Sequence, residues 1–474
     1  LIENKVFDDT SLFFSTNLKA VDLTQFQVPW LYREEITFNP ESGQHYFLET
    51  NGISSKADLY LNGNQIASKD TLNGAYGGQK FDITQYLVKG KNAVLIRAYP
   101  TDFNKDFGVS FLDWNPKAPD RGMGVWREVT VAQTGPVSLL KPRVITDYTG
   151  VATSSVTATI NVVVKNSGAV KVRGTLRGSI GQVDGALKIP VSTRYSLEAN
   201  ETKTITLTAK INDAQIWWPK LWGAQPLYTL DLAAHAGCNV SDRAVQRTFG
   251  IRHVTSHLNS NGARAFEVNG RPFLVSGGGY TPEIFLRFDA AKLEEQFAYV
   301  LDMGMNTVRL EGKMEHPAMY DIADRMGLMI LAGWECCDKW EGWSFNSEGS
   351  GVTWVEADYA TASKQMEHEA YMMQGHACML GFLEGSDYWP DEQASPIYVN
   401  KLNELNWDVP IIASAAMRGF PENLGSSGMK MGMSWLAFVP PLIAFTYHIR
   451  SHGNPNNSYR RAIRLGTAKL LVHR

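Results

Sequence analysis

Over the first 147 residues, apolar and polar positions alternate in short runs rich in Val, Ile, Tyr and Phe and broken by Gly, Asn and Asp. This is the period of half-buried strands, and no helix is needed to explain it. In Ala57-Asp58-Leu59-Tyr60-Leu61-Asn62-Gly63-Asn64-Gln65-Ile66-Ala67 the alternation runs up to an Asn-Gly pair and resumes beyond it, which predicts a β-hairpin. A further turn is predicted at Gly90-Lys91-Asn92. Residues 1–147 therefore read as an antiparallel, jelly-roll-like β-sandwich. Residues 148–254 keep the alternation in longer strands, such as Val156 to Val164, and read as an immunoglobulin-like β-sandwich.

Near Asn269-Gly270-Arg271-Pro272 the period changes. Apolar runs at Phe273 to Ser276, Thr307 to Leu310, Leu328 to Ala332, Met379 to Leu383 and Pro410 to Ser414 predict five strands. Between them, helical periodicity covers Asp289 to Met305, Pro317 to Met326, Val355 to His376 and Ile397 to Leu405. Strands alternating with helices predict a parallel sheet. Gly277-Gly278-Gly279 lacks the spacing of a dinucleotide-binding turn, so residues 255–430 read as part of a (β/α)8 barrel, or TIM barrel. Such a barrel takes about 250 residues, and only about 150 run from Asn269 to Pro421, so three strand-helix units are expected to be missing.

The last 52 residues, Asn423 to Arg474, hold seven basic residues and no Asp or Glu, although 48 acids precede them. Residues 431–474 are accordingly set apart as an anomalous basic tail. Over the whole chain 45 Lys plus Arg offset 48 Asp plus Glu to a net charge of −3, which argues against an electrostatic nucleic-acid or membrane-surface binder. No apolar run is long enough to span a bilayer. Four cysteines in 474 residues make no disulfide framework, and the adjacent Cys336 and Cys337 are not spaced as metal ligands, so all four read as packing residues and no metal is expected. Sequons at Asn200, Asn239 and Asn456 suit a secreted protein.

Candidate chemistry sits at the carboxyl ends of the predicted barrel strands, where loops converge. Glu311 follows the second strand, Glu335 and Asp338 the third, and Glu384 and Asp387 the fourth, interleaved with Trp334, Trp340, Trp343 and Trp389. Carboxyl groups for proton transfer beside aromatic faces for a sugar ring are what glycosidase chemistry requires. His368-Glu369 opens like a zinc-binding helix, but Met372 stands where the second His is needed.

These residues carry a resemblance. Gly124-Val125-Trp126-Arg127-Glu128-Val129, Trp217-Trp218-Pro219, Gln225-Pro226-Leu227-Tyr228 and Phe249-Gly250-Ile251-Arg252, in that order, resemble glycoside hydrolase family two. Asn306 to Lys313, Ala332 to Trp343 and Gly385-Ser386-Asp387-Tyr388-Trp389-Pro390 resemble its exo-β-D-glucosaminidase (exochitosanase) subgroup; most of the family has Asn-Glu where this chain has Ser386-Asp387. The resemblance covers roughly residues 20 to 430, with the chain apparently clipped at both ends.

It implies retaining hydrolysis of glucosamine from the non-reducing ends of chitosan oligosaccharides, without a cofactor. Asp387 is then the general acid/base, and Glu311, Glu335, Asp338, Trp334, Tyr388 and Trp389 are substrate-binding residues. For Glu311 two readings stay open: partner of the sugar's ammonium group, or ion-pair partner of Arg309 or Lys313. The family's nucleophile, a Glu after strand seven, is absent from the chain, so little hydrolysis is expected. A non-catalytic carbohydrate-binding homologue and a β-mannosidase remain alternatives. Nothing in the sequence indicates an oligomeric state.

Overall fold

The computed structural model describes residues 8, 11–109, 117–244, 247–311, 314–349 and 351–429. The basic tail, Gly312, Lys313 and the Asn456 sequon lie outside these residues.

The first sandwich packs a four-stranded antiparallel sheet (Trp30–Phe38, Gly90–Ala98, Lys56–Leu61, Asn64–Asn73) against a three-stranded one (Gln79–Asp82, His45–Thr50, Val129–Thr134). Asn62 and Gly63 form the two-residue turn of the predicted hairpin, both with positive φ (51° and 83°), as a turn matching the strand twist requires. The turn expected at Gly90-Lys91-Asn92 is instead the start of a strand, because Asn92 is buried and its side-chain amide ties Val88, Gly90 and Asn62 together.

The second sandwich begins eleven residues earlier than the sequence suggested. Val137–Thr146 alternates as the first sandwich does, yet its ladder partner is Ser155–Asn166 of the second, so the boundary falls near Gly135-Pro136 and not at 147. Along Ser155–Asn166 every second residue is buried, which fixes the register of the sheet.

A small sheet (Val254–Leu258, Arg264–Val268, Arg271–Phe273) leads into five parallel strands paired in chain order: β1 Gly277–Tyr280, β2 Thr307–Leu310, β3 Met329–Gly333, β4 Met379–Leu383 and β5 Ile411–Ile412. Helices α1 Ala290–Asp302, α2 Ala318–Met326, α3 Glu356–Met373 and α4 Ala394–Glu404 follow the first four. This is part of an α/β barrel, as expected. The first strand is displaced from the apolar run at Phe273 to Ser276 onto three glycines. A Cβ on Gly277 would lie 1.8 Å from the Thr307 carbonyl oxygen, so β1 approaches β2 as only glycine allows. Asp289 caps α1 by accepting from the Ala291 and Lys292 amides, and Gly327, with φ 74°, ends α2.

The motifs that carry the resemblance join the sandwiches to the barrel. Arg127 makes a buried ion pair with Glu369 on α3. The Trp217 indole donates to the Asp324 carbonyl on α2, and Arg252 pairs with Asp408 before β5. Among the described residues no helix is long and apolar enough to cross a membrane.

Candidate active site

At the carboxyl end of β4 the chain makes a tight turn through Gly385, Ser386, Asp387 and Tyr388; a Cβ on Gly385 would meet the Tyr388 carbonyl oxygen at 2.0 Å. Ser386 and Tyr388 are buried, whereas the Asp387 side chain keeps 38% of its surface. Burial pushes the Asp387 carboxyl up from its ordinary range, the Arg418 guanidinium pulls it down, and the charges of Glu311 and Glu348 push it up again, leaving a net rise. A carboxyl in this state retains its proton at higher pH than an ordinary aspartate, as a general acid requires.

Glu311, after β2, is brought to the same place. Ser386 Oγ donates to Glu311 Oε1 at 2.9 Å and accepts from Arg309 Nη2 at 2.7 Å, with Arg309 Nη2 3.6 Å from Glu311 Oε1. The ion pair with Arg309 is thus present, as expected of two side chains two apart on a strand. Both contacts fall on Oε1, and Oε2 accepts no hydrogen bond among the described residues.

Three expected sugar contacts do not reach the cleft. Trp334 is 1% exposed, because its ring packs among Trp340, Tyr76, Phe382 and Tyr398. Asp338 is fully buried and caps the short helical turn Lys339–Glu341 by accepting from the Trp340 amide. Glu335 is buried beside Tyr76, whose hydroxyl is raised well above its ordinary range by burial and then by the Glu335 charge. All three residues build the wall behind the site. Glu384 likewise turns outward and accepts from Ser395 Oγ on α4 at 2.6 Å. Tyr388 lies beside Asp387, its hydroxyl 2.6 Å from Ser347 Oγ, and Trp389 stacks on Phe345 at 4.7 Å while the Gly419 backbone presses on its indole.

Sequence reasoning missed four residues here. Arg418, in the loop after β5, bridges Asp387 Oδ2, at 3.2 Å from Nη2, to Glu348, with its guanidinium 4.9 Å from the Tyr388 ring centroid. Both Arg418 and Glu348 sit on irregular loops that no strand-end rule selects. Glu341 is buried beneath the Asp387 turn, and its signal was only its place in the Trp-rich segment Trp340-Glu341-Gly342-Trp343. The fourth is Cys337, which is bonded to Cys336, so these two cysteines form a disulfide rather than serve as plain packing residues. Of the other two, Cys378 is buried, as expected, and Cys238 is exposed. Ligand-type atoms of Cys337, Glu348 and Asp387 lie within 4.8 Å of one another, and the cation set among the carboxylates is the Arg418 guanidinium.

This geometry offers a carboxyl at β4 whose titration is shifted upward, a second carboxyl at β2 and an aromatic wall, where the barrel loops gather. The model for glycosyl hydrolases family 2 matches residues 140–252, and the model for the glycosyl hydrolase 2 galactose-binding domain-like unit matches residues 1–106. An exo-β-D-glucosaminidase of Arthroderma benhamiae is 49% identical over 443 residues, covering 93% of this chain and 50% of the relative. That of Hypocrea jecorina is 45% identical over 448 residues, covering 93% and 49%. The crystal structure of Amycolatopsis orientalis exo-chitosanase CsxA matches with a TM-score of 0.84 at 38% identity, over 90% of this chain and 48% of that one. A β-D-mannosidase from Dictyoglomus thermophilum, 18% identical with a TM-score of 0.72 over 88% of this chain and 54% of that one, shares the fold alone. The chain spans about half the length of the glucosaminidases it matches.

Proposed function

We propose, for a chain that carries the domains of glycoside hydrolase family 2, that its barrel portion supplies the acid and amine-recognition side of a retaining exo-β-D-glucosaminidase site acting on chitosan oligosaccharides. The observation that carries the proposal is the joining of Asp387 and Glu311, from separate strands, through Ser386. The relatives carry the glucosaminidase name over the same residues, and an exo-chitosanase of similar structure was solved in complex with PNP-β-D-glucosamine.

In this reading the Asp387 proton passes to the glycosidic oxygen as the bond to the anomeric carbon breaks. A second carboxylate, about 5 to 5.5 Å from the first in retaining enzymes, takes that carbon. Asp387 then removes a proton from the water that releases the sugar. Glucosamine carries a protonated amine at neutral pH, and a desolvated cation needs an anionic partner. Glu311 Oε2 is assigned to it, since Ser386 and Arg309 occupy only Oε1. Tyr388 and Trp389 shape the wall of the sugar subsite. The exposed Asn200 and Asn239 sequons and the Cys336–Cys337 disulfide support a secreted protein.

The test is calorimetric binding of p-nitrophenyl β-D-glucosaminide and the matching β-D-glucoside to the purified chain. We expect the glucosaminide to be preferred, and Glu311→Gln to remove about tenfold or more of that preference, since a charge-assisted hydrogen bond is lost. Equal binding of the two sugars by the wild-type chain would overturn the proposal.

A further inference from the structure

The turn bearing Asp387 presents a physical problem that the sequence around it does not solve. Ser386 is fully buried and Tyr388 nearly so, and their amide hydrogens point into the protein, where each needs an acceptor. One atom takes both. Glu341 Oε1 accepts from the Ser386 and Tyr388 amides, each at 2.9 Å, while Glu341 Oε2 lies 3.5 Å from the Cys337 amide. The residues before and after Asp387 are therefore fastened from below, and Asp387 between them projects upward. On the other side the Ser386 carbonyl takes the Ala415 amide at 3.0 Å.

The carrier of this carboxyl is itself rigid. Glu341 ends a helical turn whose Lys339 amide bonds the Phe103 carbonyl and whose Trp340 indole bonds the Gly108 carbonyl, both in the first sandwich. Asn346 Nδ2 holds the Glu341 carbonyl at 2.9 Å.

We infer that Glu341 is a positioning residue for Asp387, anchoring the turn so that the Asp387 carboxyl stays at the open end of the sheet. This rests on the reading of Asp387 as the acid. Burial pushes the Glu341 carboxyl up to about 8, against the pull of the two amides, with the Asp387 charge adding to the rise. At neutral pH it is accordingly a neutral acceptor, which an amide side chain can imitate, and it adds no charge to those already facing Asp387 from Arg418, Glu348, Glu311 and Arg309.

The experiment compares the complete chain with its Glu341→Gln, Glu341→Leu and Glu341→Asp variants. Two quantities are measured: the titration of the Asp387 carboxyl, by NMR of chain labelled with ¹³C at aspartate and assigned through Asp387→Asn, and hydrogen exchange at the Ser386 and Tyr388 amides. Leu, which has no acceptor, and Asp, which draws it back by one methylene, are expected to speed exchange of both amides about tenfold or more. They should also displace the Asp387 titration, while Gln stays within about twofold of the wild type in exchange and leaves the titration in place. Leu or Asp variants that match the wild type overturn the inference, as does a Gln variant that behaves like Leu. If Leu gives no cooperative melt, the Asp variant decides alone. Binding of p-nitrophenyl β-D-glucosaminide is followed separately with Glu311→Gln, the residue assigned to the sugar's amine. If that substitution leaves binding unchanged, the reading of the site fails, whereas the exchange data still judge the anchor.

Discussion

The Arg127 guanidinium grips the Glu369 carboxylate through both terminal nitrogens, Nη1 to Oε1 at 2.6 Å and Nη2 to Oε2 at 3.1 Å, with neither side chain reaching water. Arg127 Nη2 also donates to the Glu315 carbonyl at 2.8 Å, so one side chain binds the first sandwich to two segments of the barrel. Burial pushes the Glu369 carboxyl up, and the Arg127 and His368 contacts outweigh it to leave the group below its ordinary range.

Removing one partner strands the other charge in a dry environment. Glu369→Ala is expected to cost about 3 to 5 kcal/mol of stability. Urea unfolding followed by Trp fluorescence measures it; a loss under 1 kcal/mol would show that water reaches Arg127.

Stability should fall as pH rises from mildly acidic to mildly alkaline. Burial is the first cause holding Glu341 at about 8 and Glu315 at about 7. In the unfolded chain a glutamate titrates near 4.3, so between about pH 4.3 and these values the native state keeps protons that the unfolded state has released. The sign is therefore negative: each added pH unit favours unfolding until Glu341 ionises, and the loss levels off above about pH 8. Urea midpoints at pH 5, 7 and 8.5 should decrease in that order, and Glu315→Gln should flatten the part below about pH 7. A midpoint that climbs from pH 5 to 8.5 contradicts this account.

Gly277→Ala tests the close approach of β1 to β2. The new Cβ would stand 1.8 Å from a backbone oxygen, which cannot rotate away as a side chain can. A destabilisation of about 3 kcal/mol or more is expected, at the upper end for overpacking. Hydrogen exchange should rise in β1 and β2 while the Ser155–Asn166 ladder of the second sandwich keeps its protection. Uniform change across the chain would mean that the strain is not local.

Arg418→Gln should move the Asp387 carboxyl titration to higher pH, because the guanidinium that touches Asp387 Oδ2 is removed while Glu311 and Glu348 continue to push it up. The ¹³C signal of Asp387 reports this directly. An unmoved or lowered titration would show that the Arg418 contact does not persist in solution.

How much of this was legible beforehand depended on whether side chains announced their surroundings. Strands β2 and β4 were read at their observed bounds, since Thr307–Leu310 and Met379–Leu383 are buried throughout and stand out as apolar runs. The Asn62-Gly63 hairpin was read from turn chemistry. Strand β1 was not, because glycines selected for backbone approach leave no mark in a hydrophobic pattern. Asp387 and Glu311 were singled out by their place after strands, and the structure brings them to one end of the sheet. Trp334 and Asp338 were given the wrong direction, since a residue just past a strand end faces either cleft or helix layer and the sequence does not say which. Glu341 and Arg418 act through loop geometry that only three dimensions supply.

Three of the links between sandwiches and barrel join partners far apart in the chain: 242 residues separate Arg127 from Glu369, 156 separate Arg252 from Asp408, and 107 separate Trp217 from Asp324. Closing such long loops is slow, and its entropy is lost before the contact returns anything. On a ribosome the sandwich residues emerge first and wait, each with a polar group awaiting a partner not yet synthesised. Each of these links can therefore close only after the barrel segment that carries the second partner has been synthesised, so the contacts between domains depend on the later half of the chain.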